Sequence, residues 1–149
     1  MVILITHKKS RDVIVLRFPG DTLEGADLSD IHLRGALLAG KSCAGVNLKD
    51  AVLTDADLSG ADLSGANLQT AVLADAVLRR TNLHGANLMA ATLSGADLTD
   101  ATLTDANLCL ATLDTACLVN ANLHGSVYDA STRWPAGFDP RAHGAYRLG

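Results

Sequence analysis

The chain has 149 residues, the length of one domain or one short repeat array, with a formal net charge of -4. Hydrophobic residues make up 48% and aromatics only 3%, so any core is built from Leu, Ala and Val rather than from rings. These figures argue against direct nucleic-acid binding or adsorption to anionic membranes. No apolar run approaches the ~20 residues of a membrane span.

In the opening segment, 1–20, the alternate positions Ile3/Ile5 and Val13/Val15 lie on either side of the polar stretch Lys8-Lys9-Ser10. Strand-like runs around a polar turn predict a β-hairpin. Its charges follow the apolar stretch instead of preceding it, the wrong order for a secretory signal. Three cysteines without a CxxC spacing fit a reducing compartment, and the expectation is a cytoplasmic protein.

From Asp21 to Ala130 the chain reads in fives without insertion, 22 pentads in all. The third position is Leu in 20 of them, Cys43 and Tyr128 being the exceptions, and the first is Ala in 16. The last is Gly in nine and Asp in six. A five-residue step advances an α-helix by about 500°, which would smear the leucines around every face. In extended backbone, by contrast, Ala and Leu two apart share one face and the residue between them points away. A bend after each Leu, suited to Gly, Asp and Ser, restores the register. Four pentads with right-angle corners close one square coil, so 22 pentads predict about five and a half coils.

Segments such as Ala56-Asp-Leu-Ser-Gly60, Ala61-Asp-Leu-Ser-Gly65 and Ala96-Asp-Leu-Thr-Asp100 resemble the repeats of the pentapeptide-repeat family. The opening Ile3–Leu16 resembles the hairpin that begins family members, and Tyr128–Pro140 resembles a common closing segment. The resemblance implies a right-handed quadrilateral parallel β-helix, an all-β solenoid. The expected organisation is an N-terminal hairpin cap over 1–20, the helix over 21–130, and an irregular or short-helix C-terminal cap over 131–149. Four of the aromatics, Tyr128, Trp134, Phe138 and Tyr146, fall in or just before the last segment and suggest a lid over the final coil. Family dimers often join through C-terminal ends, so a monomer and a C-terminal-end dimer are the two states expected.

Positions separated by four pentads stack in columns. Asn47, Asn67, Asn87 and Asn107 predict an amide ladder. His84 and His124 share a column two coils apart, too far to share a zinc ion, and His32 lies on another face. Asp30 and Asp50 stack, as do Asp55 and Asp75; as corner residues they are expected to bond backbone rather than hold a cation. Arg80 is expected to pair with Asp100. Lys41 and Cys43 occupy inward sites of one pentad, which predicts a local distortion at the lysine and simple core packing for the thiol.

No catalytic, cofactor or metal residues are assigned, because no nucleophile, base and orienting group converge on a convex rod. The candidate interaction patch is apolar: Met89, Ala90, Cys109 and Leu110, near the C-terminal end. The function expected is a noncatalytic interaction or scaffold module whose partner is another protein. The alternative implied by the resemblance is a DNA-mimicking, gyrase-binding protein of the quinolone-tolerance type. The array holds 14 acids and five bases, net -9. Duplex DNA of the same length, about 26 Å, carries roughly 15 charges.

Overall fold

A computed structural model describes the backbone of residues 2–6 and 13–17 and the whole of residues 22–149. Strand β1 (Val2–Thr6) pairs antiparallel with β2 (Val13–Arg17), in a register that sets Leu4 opposite Val15. The Lys8-Lys9-Ser10 turn expected between them lies outside the described residues.

From residue 22 onward the chain is a parallel β-helix. Single-residue bridges join each second-position residue to its equivalent four pentads later, from Asp27–Asn47 through Asn107–Val127. The hydrogen bonding explains why a five-residue unit repeats. In the pentad 61–65, the Asp62 N–H donates to the Lys41 carbonyl of the preceding coil at 3.0 Å. The Leu63 and Gly65 N–H groups donate to the Asn82 and His84 carbonyls of the next coil, at 2.7 and 2.8 Å. The Ala66 N–H closes the corner on the Leu63 carbonyl at 3.0 Å. One donor remains, the Ser64 N–H, and the Asp62 carboxylate accepts it at 3.0 Å. Every main-chain N–H of the unit is thus paired, as a backbone half sealed from water requires.

Each corner is a four-residue turn whose third residue, the fifth of the pentad, has positive φ: Gly60 and Gly65 at 63°, Asp50 at 58°, Asp55 at 60°. That is the type II β-turn, which favours Gly or Asn at this position. Thr115 is absent from the positive-φ residues although its corner closes through Ala116 N–H to the Leu113 carbonyl at 2.9 Å. There the Thr115 hydroxyl, rather than a carbonyl, accepts the Gly95 N–H at 2.8 Å.

First- and third-position side chains fill the interior. Every leucine from Leu53 to Leu113 on the lattice is fully buried, flanked by buried alanines such as Ala66, Ala86 and Ala106. Where a hydroxyl replaces Ala, it bonds inward: Thr81 Oγ1 donates to the Leu58 carbonyl at 2.8 Å and Ser126 Oγ to the Leu123 carbonyl at 2.8 Å. Cys43 sits in the same core, 2% exposed. Burial, with the nearby Asp62 charge, raises its thiol pKa to about 11, so it packs as a small apolar side chain. Lys41 corrects an expectation. Its side chain is exposed, and its N–H and carbonyl keep their regular partners, Leu38 and Asp62, at 3.1 and 3.0 Å. The long aliphatic stem carries the ammonium out of the inward site, and the backbone does not distort.

The ladder continues past Ala130 with one residue added. Thr112 bridges Arg133, a step one longer than the regular spacing, so Thr132 fills an inward Ala site and Trp134 follows in the Leu site. Thr132 Oγ1 donates to the Leu108 carbonyl at 2.9 Å. Tyr128 and Trp134 meet edge to face at 5.5 Å, Trp134 stacks on Phe138 at 5.4 Å, and Phe138 stacks on His143 at 4.5 Å. A single 3-10 turn, Arg141–His143, leads into β4 (Tyr146–Arg147), which pairs parallel with β3 (Val127–Tyr128).

Candidate interaction surface

Second-position side chains and the corners make up the outer surface. The second position is where the sequence carries Asp and Asn, and the structure gives the reason. Asp62, Asn67, Asn82, Asn87 and Asn107 each accept the N–H two residues on through the side-chain oxygen. From sequence, this backbone bonding is expected of the fifth-position aspartates instead. At Asp30, Asp50, Asp55 and Asp75 the structure shows the positive φ of the turn. Asp55 accepts from Arg34 at 3.2 Å, Asp50 from the Thr70 hydroxyl, and Asp75 lies directly beneath Gly95.

The asparagine column is only partly a ladder. Asn67 Nδ2 donates to Asn47 Oδ1 at 3.0 Å and Asn47 Nδ2 to Asp27 Oδ1 at 2.8 Å. Among the described residues no side-chain bond continues it to Asn87 or Asn107, whose oxygens serve their own turns. Among the ion pairs of the described residues the expected Arg80–Asp100 pair does not occur. Arg79 makes the ion pair, with Asp97 at 2.5 Å, because the second-position carboxylate is held in place by the Thr99 hydroxyl and N–H. Those bonds, the hydroxyl first, hold Asp97 below the usual carboxylate range. The Ser64 N–H and hydroxyl do the same for Asp62. Arg34–Asp55 and Arg133–Asp114 add ion pairs at 3.2 and 2.9 Å.

His84 Nδ1 lies 2.9 Å from Thr104 Oγ1 and 3.6 Å from Asp105 Oδ2, a local surface contact; Thr104 separates it from His124 in the column. Among the described residues no group of three or more His, Cys, Asp or Glu side chains is placed to hold a metal ion, and no helix is long and apolar enough to cross a membrane.

Met89, Ala90, Cys109 and Leu110 are brought together at one corner of adjacent coils, where the Ala90 N–H donates to the Cys109 carbonyl at 2.9 Å. Leu110 is 47% exposed; Met89, Ala90 and Cys109 are half-buried. Burial, with the Asp129 carboxylate nearby, pushes the Cys109 thiol up. Three more exposed apolar side chains toward the same end escape a reading by pentads: Val119 (57%), Tyr146 and Leu148. Val119 stands at a fourth position, beside the edge of the last coil, and could have been found by asking which pentads have no successor in a coil above them.

The family model for pentapeptide repeats matches eight copies over residues 26–69, 56–95 and 91–127. The chain belongs to the pentapeptide repeat family. Among solved members it is similar to HetL from the cyanobacterium Nostoc sp. strain PCC 7120, described as involved in heterocyst differentiation regulation. The two are 30% identical over 69% of this chain and 61% of HetL, with a TM-score of 0.46, so the chain spans less than two thirds of that relative's length. It is 37% identical to alr5209, a pentapeptide repeat protein from Nostoc PCC 7120, over 72% of this chain and 84% of that one, with a TM-score of 0.37. QnrB1, described as a plasmid-mediated fluoroquinolone resistance protein, is 23% identical over 75% of this chain and 62% of its own, with a TM-score of 0.44. A search of curated proteins finds no match.

Proposed function

We propose that the protein is a noncatalytic interaction or scaffold module: a right-handed, four-sided β-helix of about five and a half coils whose outer faces engage another protein. In this reading residues 21–130 form the working array, 1–20 and 131–149 cap it, and the protein acts in the cytoplasm as a monomer or a C-terminal-end dimer. The observation that carries the reading is the consumption of polar chemistry by the fold. The second-position carboxylates and amides are occupied in turn formation, as Asp62 and Asn67 are with the N–H groups of Ser64 and Gln69. Recognition then falls to the corners, where Met89, Ala90, Cys109 and Leu110 form the apolar group that is the first candidate contact.

DNA mimicry directed at gyrase, the alternative, needs an unbroken acidic surface. Arg34, Arg79 and Arg133 stand against Asp55, Asp97 and Asp114 and put cations among the acids. The function of QnrB1 therefore gives a test rather than an assignment. Added to a gyrase supercoiling reaction, the protein is expected to leave the rate unchanged, and inhibition at micromolar levels would favour the mimic. For the interaction reading, the purified protein is used as bait against extract of the source organism, beside a Met89→Ser/Leu110→Ser variant. A partner enriched by the native protein and lost with the variant supports the reading and the patch. Equal capture by both moves the contact elsewhere, and no enrichment at all removes the reading.

A further inference from the structure

Where the C-terminal segment turns back beside the last coil it leaves a cleft of about 430 Å³, lined by Tyr128, Asp129, Trp134, Asp139, Arg141 and Arg147 among others. That is within the size range of small-molecule sites. Main-chain bonds fix its walls. Arg141 opens the 3-10 turn, which is closed by the Gly144 N–H on the Arg141 carbonyl and the Ala145 N–H on the Pro140 carbonyl, both at 3.0 Å. Gly144, at φ 85°, sends the chain back so that β4 returns along β3. There the Tyr146 N–H donates to the Ser126 carbonyl at 2.8 Å and the Leu148 N–H to the Tyr128 carbonyl at 2.7 Å, which clamps Arg147 between them. Two arginines from different elements thus line one cleft on a rigid support.

The acids of this cleft are engaged and its donors are not. Asp129 Oδ1 accepts the N–H groups of Leu110, Ser131 and Thr132 at 3.2, 2.9 and 3.0 Å, and the Thr132 hydroxyl at 3.1 Å. Asp139 Oδ1 accepts the Arg141 N–H at 3.0 Å. Arg34, Arg79 and Arg133 each stand against an aspartate, whereas the guanidinium groups of Arg141 and Arg147 make no ion pair or hydrogen bond among the described residues. Tyr128 is only 7% exposed, and its hydroxyl likewise has no partner among the described residues. That hydroxyl is not sealed, since the one sealed side-chain donor without an acceptor is the Trp134 indole N–H. It therefore opens onto the cleft that Tyr128 lines. Two guanidinium groups and a phenol from an otherwise buried ring share one space and lack an acceptor.

We propose that this cleft binds the oxyanion of a small acid, a carboxylate or a phosphate, through Arg141, Arg147 and the Tyr128 hydroxyl. Guanidinium forks match the oxygen spacing of both groups and cannot lose their charge. The phenol donates a further bond from a ring that cannot swing away, packed edge to face on Trp134 at 5.5 Å. A cationic ligand would meet two unanswered positive charges, and a neutral one would leave them without a counter-charge. The site lies beyond the pentads, whose second-position carboxylates and amides are taken up by their own turns, and it stands independently of the interaction-module reading.

Trp134 is the one tryptophan of the chain, so its emission reports on the cleft directly. The full chain is titrated with sodium phosphate and, separately, with sodium acetate, chloride holding the ionic strength constant. A saturable change in emission is expected, with side-chain Nε–Hε shifts of the labelled protein concentrated at Arg141 and Arg147. Arg147→Gln should weaken binding about five- to tenfold and Tyr128→Phe about three- to tenfold. Arg34→Gln, which removes an arginine already paired with Asp55, should leave it unchanged. Arg147 has no side-chain partner to lose and Phe keeps the ring, so both variants should retain the parent urea midpoint. Tighter binding of phosphate assigns a phosphorylated ligand, and acetate binding as tightly or more so assigns a carboxylic acid. No saturation by either anion at tens of millimolar, equal affinity of either cleft variant and the parent, or shifts spread evenly over all arginines would each overturn the proposal.

Discussion

Replacing Ala90 by glycine should stabilise the protein, although the same change in ordinary backbone destabilises it. Ala90 occupies the fifth position of its pentad with φ at 58°, and its N–H bond to the Cys109 carbonyl is untouched by the substitution. An L-residue in the left-handed region costs about 1–2 kcal/mol, and glycine is free of that cost. Against this, glycine loses more unfolded-state freedom, worth about 0.5–1 kcal/mol. The half-buried methyl group contributes little. The net expectation is a gain of about 0.5–1 kcal/mol for Ala90→Gly. Ala74 is the matched control: equally half-buried, one position earlier in its pentad, and not among the positive-φ residues. There only the entropic term acts, and Ala74→Gly should cost about 0.5–1 kcal/mol. In urea unfolding, with an m-value of about 2 kcal/mol/M, the two midpoints should move in opposite directions by about 0.3–0.5 M with m unchanged. If Ala90→Gly lowers the midpoint as Ala74→Gly does, the corner geometry ascribed to all these pentads is wrong.

Truncating Leu73, fully buried at mid-array, to Ala should cost about 3–5 kcal/mol in the same assay, because the lattice cannot collapse around one missing side chain. A Cβ at Gly65 meets nothing within 4 Å, whereas one at Gly95 would come within 2.2 Å of Asp75 Oδ1. Gly95→Ala should therefore be the more damaging, and the excess should vanish in the Asp75→Ala background; a double-mutant cycle with no coupling contradicts this. The carboxyls of Asp62 and Asp97 are held below the ordinary 3.8, so the stability they lend is full above that pH and lost as the pH falls through their lower folded values. Asp62→Asn keeps the acceptor for Ser64 and should flatten the fall of the urea midpoint on acidification, and an unchanged slope would show that Asp62 does not contribute. Cys43 should resist iodoacetamide in the native protein while Cys117, which is exposed, is alkylated; mass mapping that finds Cys43 modified first would contradict its placement.

The coil was readable from Leu23, Leu28 and their successors because a strict interval of five allows one geometry, and a single buried column repeats the same evidence many times. The corners were readable as turns from Gly and Asp, yet their chemistry was misplaced. Asp62 and Asp75 stand at different pentad positions, second and fifth, but the sequence alone does not say which position's carboxylate turns back on the backbone. The candidate patch was half legible. Met89 and Cys109 follow from the lattice, whereas Val119 follows only when the pentads with no successor coil above them are singled out. The aromatic stack is a third case. One added residue before Arg133 shifts the phase of the repeat, so that Thr132 and Trp134 land in inward sites no count of fives would give them.

Because each bridge joins positions four pentads apart and each side is one pentad, the array behaves like a screw thread, and its length changes in quantised steps. Excising one pentad would leave the remaining thread in phase but rotate everything beyond the cut by a quarter turn. Excising four would restore both phase and heading, shortening the rod by one pitch. Duplication or loss of whole turns is thus the route by which such a chain can grow or shrink during evolution while its two ends keep their mutual orientation.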